Sequence, residues 1–154
     1  MSRLLSLVTL FAWACVASGP FSGPGFQDGA LVNEADGPYF AVATRAIIAS
    51  GQRSAFNEHV GRIRDQLEET EGCIGYELRG RVPGREVWTL TVWESEDAML
   101  AFMTSGAHAE AMRTATELVA EFDSAAFEVE EDDLPVAWDR VEEALAEAPA
   151  PTRY

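Results

Sequence analysis

The chain has no lysine, only two histidines and only two cysteines among its 154 residues. Its 11 basic residues are therefore all arginine, and 26 acidic residues outnumber them to give a formal net charge of -15. A surface of this charge repels phosphate backbones and anionic lipid headgroups. Nucleic acid is thus excluded as an expected partner.

The few cysteines and histidines also limit the possible chemistry. Cys15 and Cys73 can form at most one bridge, so no disulfide framework is expected. His59 and His108 lie 49 positions apart, without a cysteine or carboxylate at ligand spacing. The acidic run at 130–133 lacks the glycine and the alternating oxygen ligands of a calcium loop. The sequence therefore predicts no metal site.

What is present is typical of one globular domain, with 47% hydrophobic and 24% charged residues. A chain of this length buries roughly 70% of its unfolded surface, so it can build a core without metal or disulfide. The pattern along the chain predicts a hydrophobic N-terminal segment at 1–18, a Gly/Pro-rich linker or arm at 19–37, a folded domain at 38–131, and an amphipathic helix and tail at 132–154.

The first 18 residues resemble a secretory signal peptide, with Arg3 followed by an apolar run from Leu4 to Ala17 and then small residues. As a helix this run would cover roughly 21 Å, less than the ~30 Å hydrocarbon core of a bilayer. We expect export to the periplasm or the extracellular space, with cleavage after Ala17 or Ser18. The alternatives are a lipid anchor on Cys15, or a cytoplasmic protein in which the segment packs as a helix. Membrane contact is expected only through this segment, if it is retained.

The periodic patterns of the domain predict the order β-α-β-β-α-β. The predicted strands cover 39–47, 73–81, 87–93 and 126–130, and the predicted helices begin near Ser50, at Ser95 and after Gly106, the last running to about Phe122. This order is the ferredoxin-like α+β arrangement, a four-stranded antiparallel sheet with helices on one face. Trp138, at the start of a later apolar stripe, predicts a C-terminal amphipathic helix.

The third predicted strand has two apolar faces, because alternation places Trp88 and Leu90 on one face and Val87 and Trp93 on the other. Helices cover only one face of such a sheet, so the other face must be covered in another way. We expect a homodimer in which two sheets pack face to face around a pocket. The alternative is a monomer in which the N-terminal arm or the C-terminal helix covers this face.

The hairpin and the helix after it carry a family resemblance. The stretch from Val87 to Met99, followed by Phe102, Ser105-Gly106-Ala107-His108 and Met112, resembles the core of the dimeric α+β-barrel superfamily. That superfamily includes antibiotic biosynthesis monooxygenase-like domains and uncharacterised proteins such as the DUF3291 family. The resemblance covers roughly 38–131. It implies a dimeric α+β barrel, and it identifies the fold better than the activity.

Cofactor-independent monooxygenases of this superfamily act on electron-rich aromatics such as anthrones. The resemblance therefore implies oxygenation of a small aromatic or apolar molecule without metal, flavin or haem. Such an enzyme needs an apolar pocket, a group that holds a phenolate and a base that works near neutral pH. The residues that supply these types are His108 and Arg79 as catalytic candidates, and Trp88, Trp93, Tyr76, His59 and Phe102 as substrate-binding candidates.

Each candidate residue can also have a purely structural role. The tryptophans can be core residues, His108 can be an exposed or capping residue, and His59 can border the apolar stripe of the first helix. The haem-degrading branch of the superfamily uses a tryptophan and a histidine where this chain has Phe102 and Met112, so haem chemistry is not expected. The alternative function is a non-catalytic small-ligand-binding or structural domain that keeps the fold.

Overall fold

A computed structural model describes residues 15–32 and 38–154. Its elements are β1 Cys15–Ser18, β2 Phe26–Gln27, β3 Ala30–Leu31, β4 Tyr39–Ile48, α1 Arg53–Glu69, β5 Cys73–Val82, β6 Glu86–Trp93, α2 Glu96–Met103, α3 Gly106–Leu118, β7 Val119–Val129, a 3-10 turn Glu131–Asp133, α4 Trp138–Glu147 and β8 Thr152–Arg153.

The main sheet has the strand order β1-β5-β6-β4-β7-β8, and every pair of neighbours is antiparallel. Its four central strands β5-β6-β4-β7 are the strands predicted from the sequence, and α1, α2 and α3 pack on one face of them. The predicted α+β, ferredoxin-like fold is confirmed.

The second predicted helix begins as the local sequence requires. The Ser95 side chain accepts a hydrogen bond from the amide of Ala98, and Glu96 and Asp97 occupy the first turn, where the helix dipole favours negative charge. A separate helix, α3, begins at Gly106 with a positive φ of 54°. The expected break at this glycine is therefore present.

The end of α3 differs from the prediction. Helical spacing continues through Val119 and Phe122, but α3 ends at Leu118 and β7 begins at the next residue. Phe122 is paired with Ala46 of β4. Pairing with a central strand outweighs the local helical pattern, because both residues suit a half-buried strand.

The two faces of the sheet support separate parts of the core. On the helix-covered face, Trp93 packs with Phe102 and Leu67. On the opposite face, Leu90 and Val92 pack with residues of the N-terminal arm and of α4. The predicted alternation along β6 is thus observed, and both of its faces are covered in a single chain.

The N-terminal arm continues from β1 along the same edge of β5. Backbone hydrogen bonds join Ser22 to Tyr76 in both directions, and the amide of Gly25 donates to the carbonyl of Ile74. Phe21 lies against Gly75, where a Cβ would come within 2.8 Å of the ring. The described part of the predicted Gly/Pro-rich linker is therefore an ordered arm.

The predicted signal peptide lies mostly outside the described residues, which begin at 15. The predicted cleavage points after Ala17 and Ser18 fall within or at the end of β1, which pairs with β5. No described helix has the length and hydropathy needed to cross a bilayer. Export stays a proposal, and the mass of the mature chain from its native host tests it.

The C-terminal helix α4 covers the face that was expected to form a dimer. Val141 is fully buried, and the Trp138 indole donates a 2.6 Å hydrogen bond to Glu77 of β5. The guanidinium of Arg79 lies 4.2 Å from the centre of the Trp138 ring. In this structure α4 and the arm therefore occupy the place of a second sheet, as in the alternative expectation.

Candidate active site

A cavity of about 440 Å³ lies between α1, α3 and the helix-covered face of the sheet. Most of its lining is aliphatic or aromatic. The apolar lining includes Val42, Ala46, Phe56, Val60, Ile63, Leu67, Leu78, Val87, Phe102, Met103, Ala111, Met112, Ala115, Leu118, Val119 and Phe122, and the polar lining includes Thr44, His59, Arg64, Tyr76, Thr89, Thr91, His108 and Ser124. A cavity of this size and polarity suits a small apolar molecule.

His108 lies in the first turns of α3 and lines the cavity. Its Nδ1 is 3.1 Å from the carbonyl oxygen of Met103, and its ring is 5.0 Å from that of Phe102. A carbonyl only accepts, so Nδ1 carries the proton and Nε2 keeps its lone pair. Burial lowers the pKa of His108 below its ordinary value of 6.5, and the bond to Met103 opposes this only in part. The ring is therefore neutral at pH 7.

Gln66 of α1 holds the beginning of α3. Its Oε1 accepts a 3.0 Å hydrogen bond from the amide of His108, and its Nε2 donates to the carbonyl of Ser105 at 3.3 Å. A Cβ at Gly106 would come within 2.8 Å of this side chain, so glycine permits the close approach. Gln66 thus fixes the backbone from which His108 projects.

Tyr76 of β5 is the second polar group of the cavity. Its hydroxyl donates a 2.5 Å hydrogen bond to the carboxylate of Glu68, and the guanidinium carbon of Arg64 lies 5.9 Å from the ring centre. Burial and the bond to Glu68 raise the pKa of Tyr76 above its ordinary value. Tyr76 therefore stays a neutral phenol at pH 7 and is not a base.

A row of hydroxyl groups crosses the sheet beneath the cavity. Thr44 of β4 lies between Ser124 of β7 and Thr89 of β6 in the strand register, and all three line the cavity. The hydroxyls of Thr44 and Thr89 are 2.5 Å apart. Sequence reasoning missed this row, because only the register of three strands brings these residues together.

Two further candidates also reach the cavity. His59 lines it from α1, and its Nδ1 is 3.0 Å from a terminal nitrogen of Arg62. Phe102 lies between His108 and the fully buried Trp93, whose ring centre is 4.9 Å away. The cavity thus brings together His108, Tyr76, His59 and Phe102 among the predicted site residues.

The structure does not bring the other three candidates to this cavity. Arg79 and Trp88 face the opposite side of the sheet, where Arg79 is bonded to Glu142 and packs on Trp138. Trp93 is on the helix side but is enclosed by packing and does not line the cavity. The expectation that Trp88 and Trp93 point to opposite faces is confirmed, but the expectation that one lines the cavity is not met. Alternation along a strand predicts that the two side chains point to opposite faces, but it does not predict which face borders a cavity.

A more open cleft lies on the opposite face, between β6 and the C-terminal segment, and includes Trp88 and Arg45. Arg45 is already bonded to Glu86, Glu121 and Asp123 at 2.6–3.1 Å. Its charge is thus matched within the protein, and the cleft offers no free cation at this point.

Within residues 15–32 and 38–154, no group of three or more histidine, cysteine, aspartate and glutamate side chains is arranged to hold a metal ion.

The cavity has a neutral histidine in an apolar lining, and a ferredoxin-like sheet lies beneath it. The antibiotic biosynthesis monooxygenase family matches residues 38–114, which are half of the chain. The chain belongs to this family. The match includes β4, α1, β5, β6 and α2 and the part of α3 that carries His108.

A curated relative is the spheroidene monooxygenase of Rubrivivax gelatinosus, which is 34% identical over 102 residues. The match covers 63% of this chain and 40% of the relative, so the chain spans about two fifths of that protein's length.

Solved structures show the same fold. A protein from Shewanella oneidensis aligns with a TM-score of 0.55 at 17% identity, covering 62% of this chain and 95% of its own. A protein of unknown function from Nitrosomonas europaea aligns with a TM-score of 0.54 at 15% identity, covering 65% and 97%. A candidate monooxygenase from Fusobacterium nucleatum has a TM-score of 0.56 at 17% identity, covering 61% and 44%.

Proposed function

We propose that the protein is a cofactor-independent monooxygenase that oxidises a small aromatic or otherwise apolar molecule in the cavity beside His108. The observation that carries this proposal is the neutral imidazole, which lies in an apolar cavity with Nδ1 bonded to Met103. Family membership supports the reaction class. Arg79, which faces the other side of the sheet, has no role in this proposal.

The proposed reaction begins with proton transfer to Nε2 of His108 from an acidic C–H or O–H of the substrate. The resulting enolate is electron-rich, and molecular oxygen adds to its carbon, taking up the electron pair to form a peroxide. The imidazolium returns its proton to the peroxide, and loss of water leaves a new carbonyl. One O₂ is consumed, with one oxygen atom in the product and the other in water.

The protein contributes position and a dry environment. Tyr76 remains protonated because of its burial and its bond to Glu68, and that bond uses its one proton, so its oxygen can only accept a hydrogen bond from a substrate hydroxyl. The aromatic ring of Phe102 beside His108 offers a flat contact surface for an aromatic substrate. The apolar lining keeps water from the enolate.

Oxygen uptake with 1,8-dihydroxyanthrone, measured above the protein-free rate, tests the proposal. We expect the wild type to accelerate uptake and to place one ¹⁸O atom from ¹⁸O₂ in the product. His108→Asn keeps an N–H that can donate to Met103 but lacks the base, so the rate should fall roughly 10²–10⁴-fold. Glu110→Gln, at an exposed position of α3, is the control and should stay within a few-fold of the wild type.

Two outcomes would contradict the proposal. If His108→Asn keeps the wild-type rate, His108 is not the base. If the wild type binds anthrones and polyenes in the cavity but does not accelerate oxygen uptake with any of them, the non-catalytic ligand-binding alternative replaces the enzyme.

A further inference from the structure

The hydroxyl row of Ser124, Thr44 and Thr89 contrasts with the rest of the cavity. Thr44 is the register partner of both other residues, so the three side chains stand side by side on the helix-covered face. Ser124 is exposed on β7, whereas Thr44 and Thr89 are partly buried. The row therefore leads from the surface into an apolar cavity.

The hydrogen bonds of this row leave donors unused. Thr44 and Thr89 together have two hydroxyl protons, and their mutual bond uses one. Within residues 15–32 and 38–154, neither hydroxyl has another side-chain or backbone partner, and the hydroxyl of Ser124 has none. At least two O–H groups can thus donate to a molecule in the cavity.

The neighbouring Thr91, in contrast, has hydrogen-bond partners for its hydroxyl within the protein. Its hydroxyl accepts from the Trp93 indole at 2.9 Å and lies 3.5 Å from the carbonyl of Val42. A Thr–Thr pair across strands also stabilises a sheet, but that role needs only one of the two protons. Stabilisation of the sheet therefore does not explain the hydroxyl protons that have no acceptor in the protein.

We propose that Ser124, Thr44 and Thr89 bind the oxygen of the substrate, so that the cavity selects apolar molecules with a ketone or enol oxygen over pure hydrocarbons. The inference rests on the proposed function for its cavity. A donor in an apolar surrounding gains most from an acceptor, and a buried polar group left unpaired carries a penalty. The same donors stabilise the negative charge that develops on the oxygen when the substrate loses its proton.

Equilibrium binding of two probes under argon tests this selectivity without turnover. Anthrone has a ketone at the position where 9,10-dihydroanthracene has a methylene, and the ring systems are otherwise alike. We expect the wild type to bind anthrone about ten-fold more tightly, as one added hydrogen bond allows. The combined variant Thr44→Val, Thr89→Val and Ser124→Ala removes all three hydroxyls and should bring the ratio of the two dissociation constants close to one. Thr44→Ser, which keeps a hydroxyl at this position, should retain most of the wild-type ratio.

Thr91→Val is the matched control, since it lies on the same face but its hydroxyl is already bonded, and its ratio should stay at the wild-type value. Equal binding of both probes by the wild type overturns the inference, as does a ratio that survives in the variant that lacks all three hydroxyls. Failure to bind either probe also overturns it. Selective binding without oxygen uptake would refute the proposed function alone, and oxygen uptake without selectivity would refute this inference alone.

Discussion

His108 shows how a single side chain acquires a chemical role from its surroundings. Its sequence context gives a histidine two residues after Gly106, which is equally typical of an exposed or capping residue. The structure adds a carbonyl at Nδ1 and an aromatic ring beside the imidazole. The carbonyl fixes the tautomer and burial keeps the ring neutral, and neither effect is visible in the sequence.

The lowered pKa of His108 predicts a pH dependence of stability. The unfolded chain binds the proton near pH 6.5, whereas the folded chain binds it only at lower pH. The free energy of unfolding should therefore have its full value above pH 6.5. It should fall as the pH drops from 6.5 toward the folded-state pKa of His108. Urea unfolding at several pH values measures this loss.

The control for that measurement is a pair of variants. His108→Asn should remove this part of the pH dependence, and His59→Asn should keep it. An identical slope in the wild type and in His108→Asn between pH 5 and 7 would show that burial does not disfavour the charged ring.

At the scale of elements, the sequence predicts most of the fold. The period-2 and period-3.6 patterns identify the four central strands, α1 and α2, because apolar residues recur on the faces that pack against the core. The end of α3 could not be predicted, since Val119 and Phe122 fit both a helix and a strand. Strand pairing decides between the two, and pairing is a property of the whole sheet.

The candidate site is predictable only in part for the same reason. His108, Tyr76, His59 and Phe102 were found by residue type and approximate location, and they do line one cavity. Residue type does not distinguish Arg79 and Trp88 from these four, because the alternation along a strand does not show which face of the sheet borders a cavity. The hydroxyl row depends on register across three strands, which no single segment shows.

The contact between α1 and α3 gives a prediction at this scale. Gln66→Ala removes both bonds to the beginning of α3, so we expect a loss of about 1 kcal/mol in the free energy of unfolding. His108 should also become more exposed, and the acid limb of the kcat/KM profile should move up toward pH 6.5. Glu110→Ala, on an exposed position of α3, should change neither. A destabilised Gln66→Ala with an unmoved pH profile would make Gln66 structural only.

At the scale of the whole molecule, α4 and the arm occupy the sheet face that was expected to form a homodimer. The homodimer stays a prediction, and it can form through this face only if the face is uncovered. Association through this face requires α4 to leave, so releasing α4 should favour the dimer.

Sedimentation velocity at micromolar concentration tests that condition. Val141→Asp places a charge at a fully buried position of α4 and should undock the helix, whereas Glu143→Gln at an exposed position should not. We expect Val141→Asp to shift the chain toward a discrete dimer relative to Glu143→Gln. A monomer in both variants would contradict dimerisation through this face.

The central claim is that chemistry takes place in the cavity between the helices and the sheet. A crystal structure of the protein with anthrone, prepared under argon so that no turnover occurs, tests it most directly. The account predicts electron density for the ligand between α1, α3 and the sheet, in contact with His108. Density instead in the cleft on the opposite face, beside Trp88 and Arg45, with the helix-side cavity empty, would contradict it.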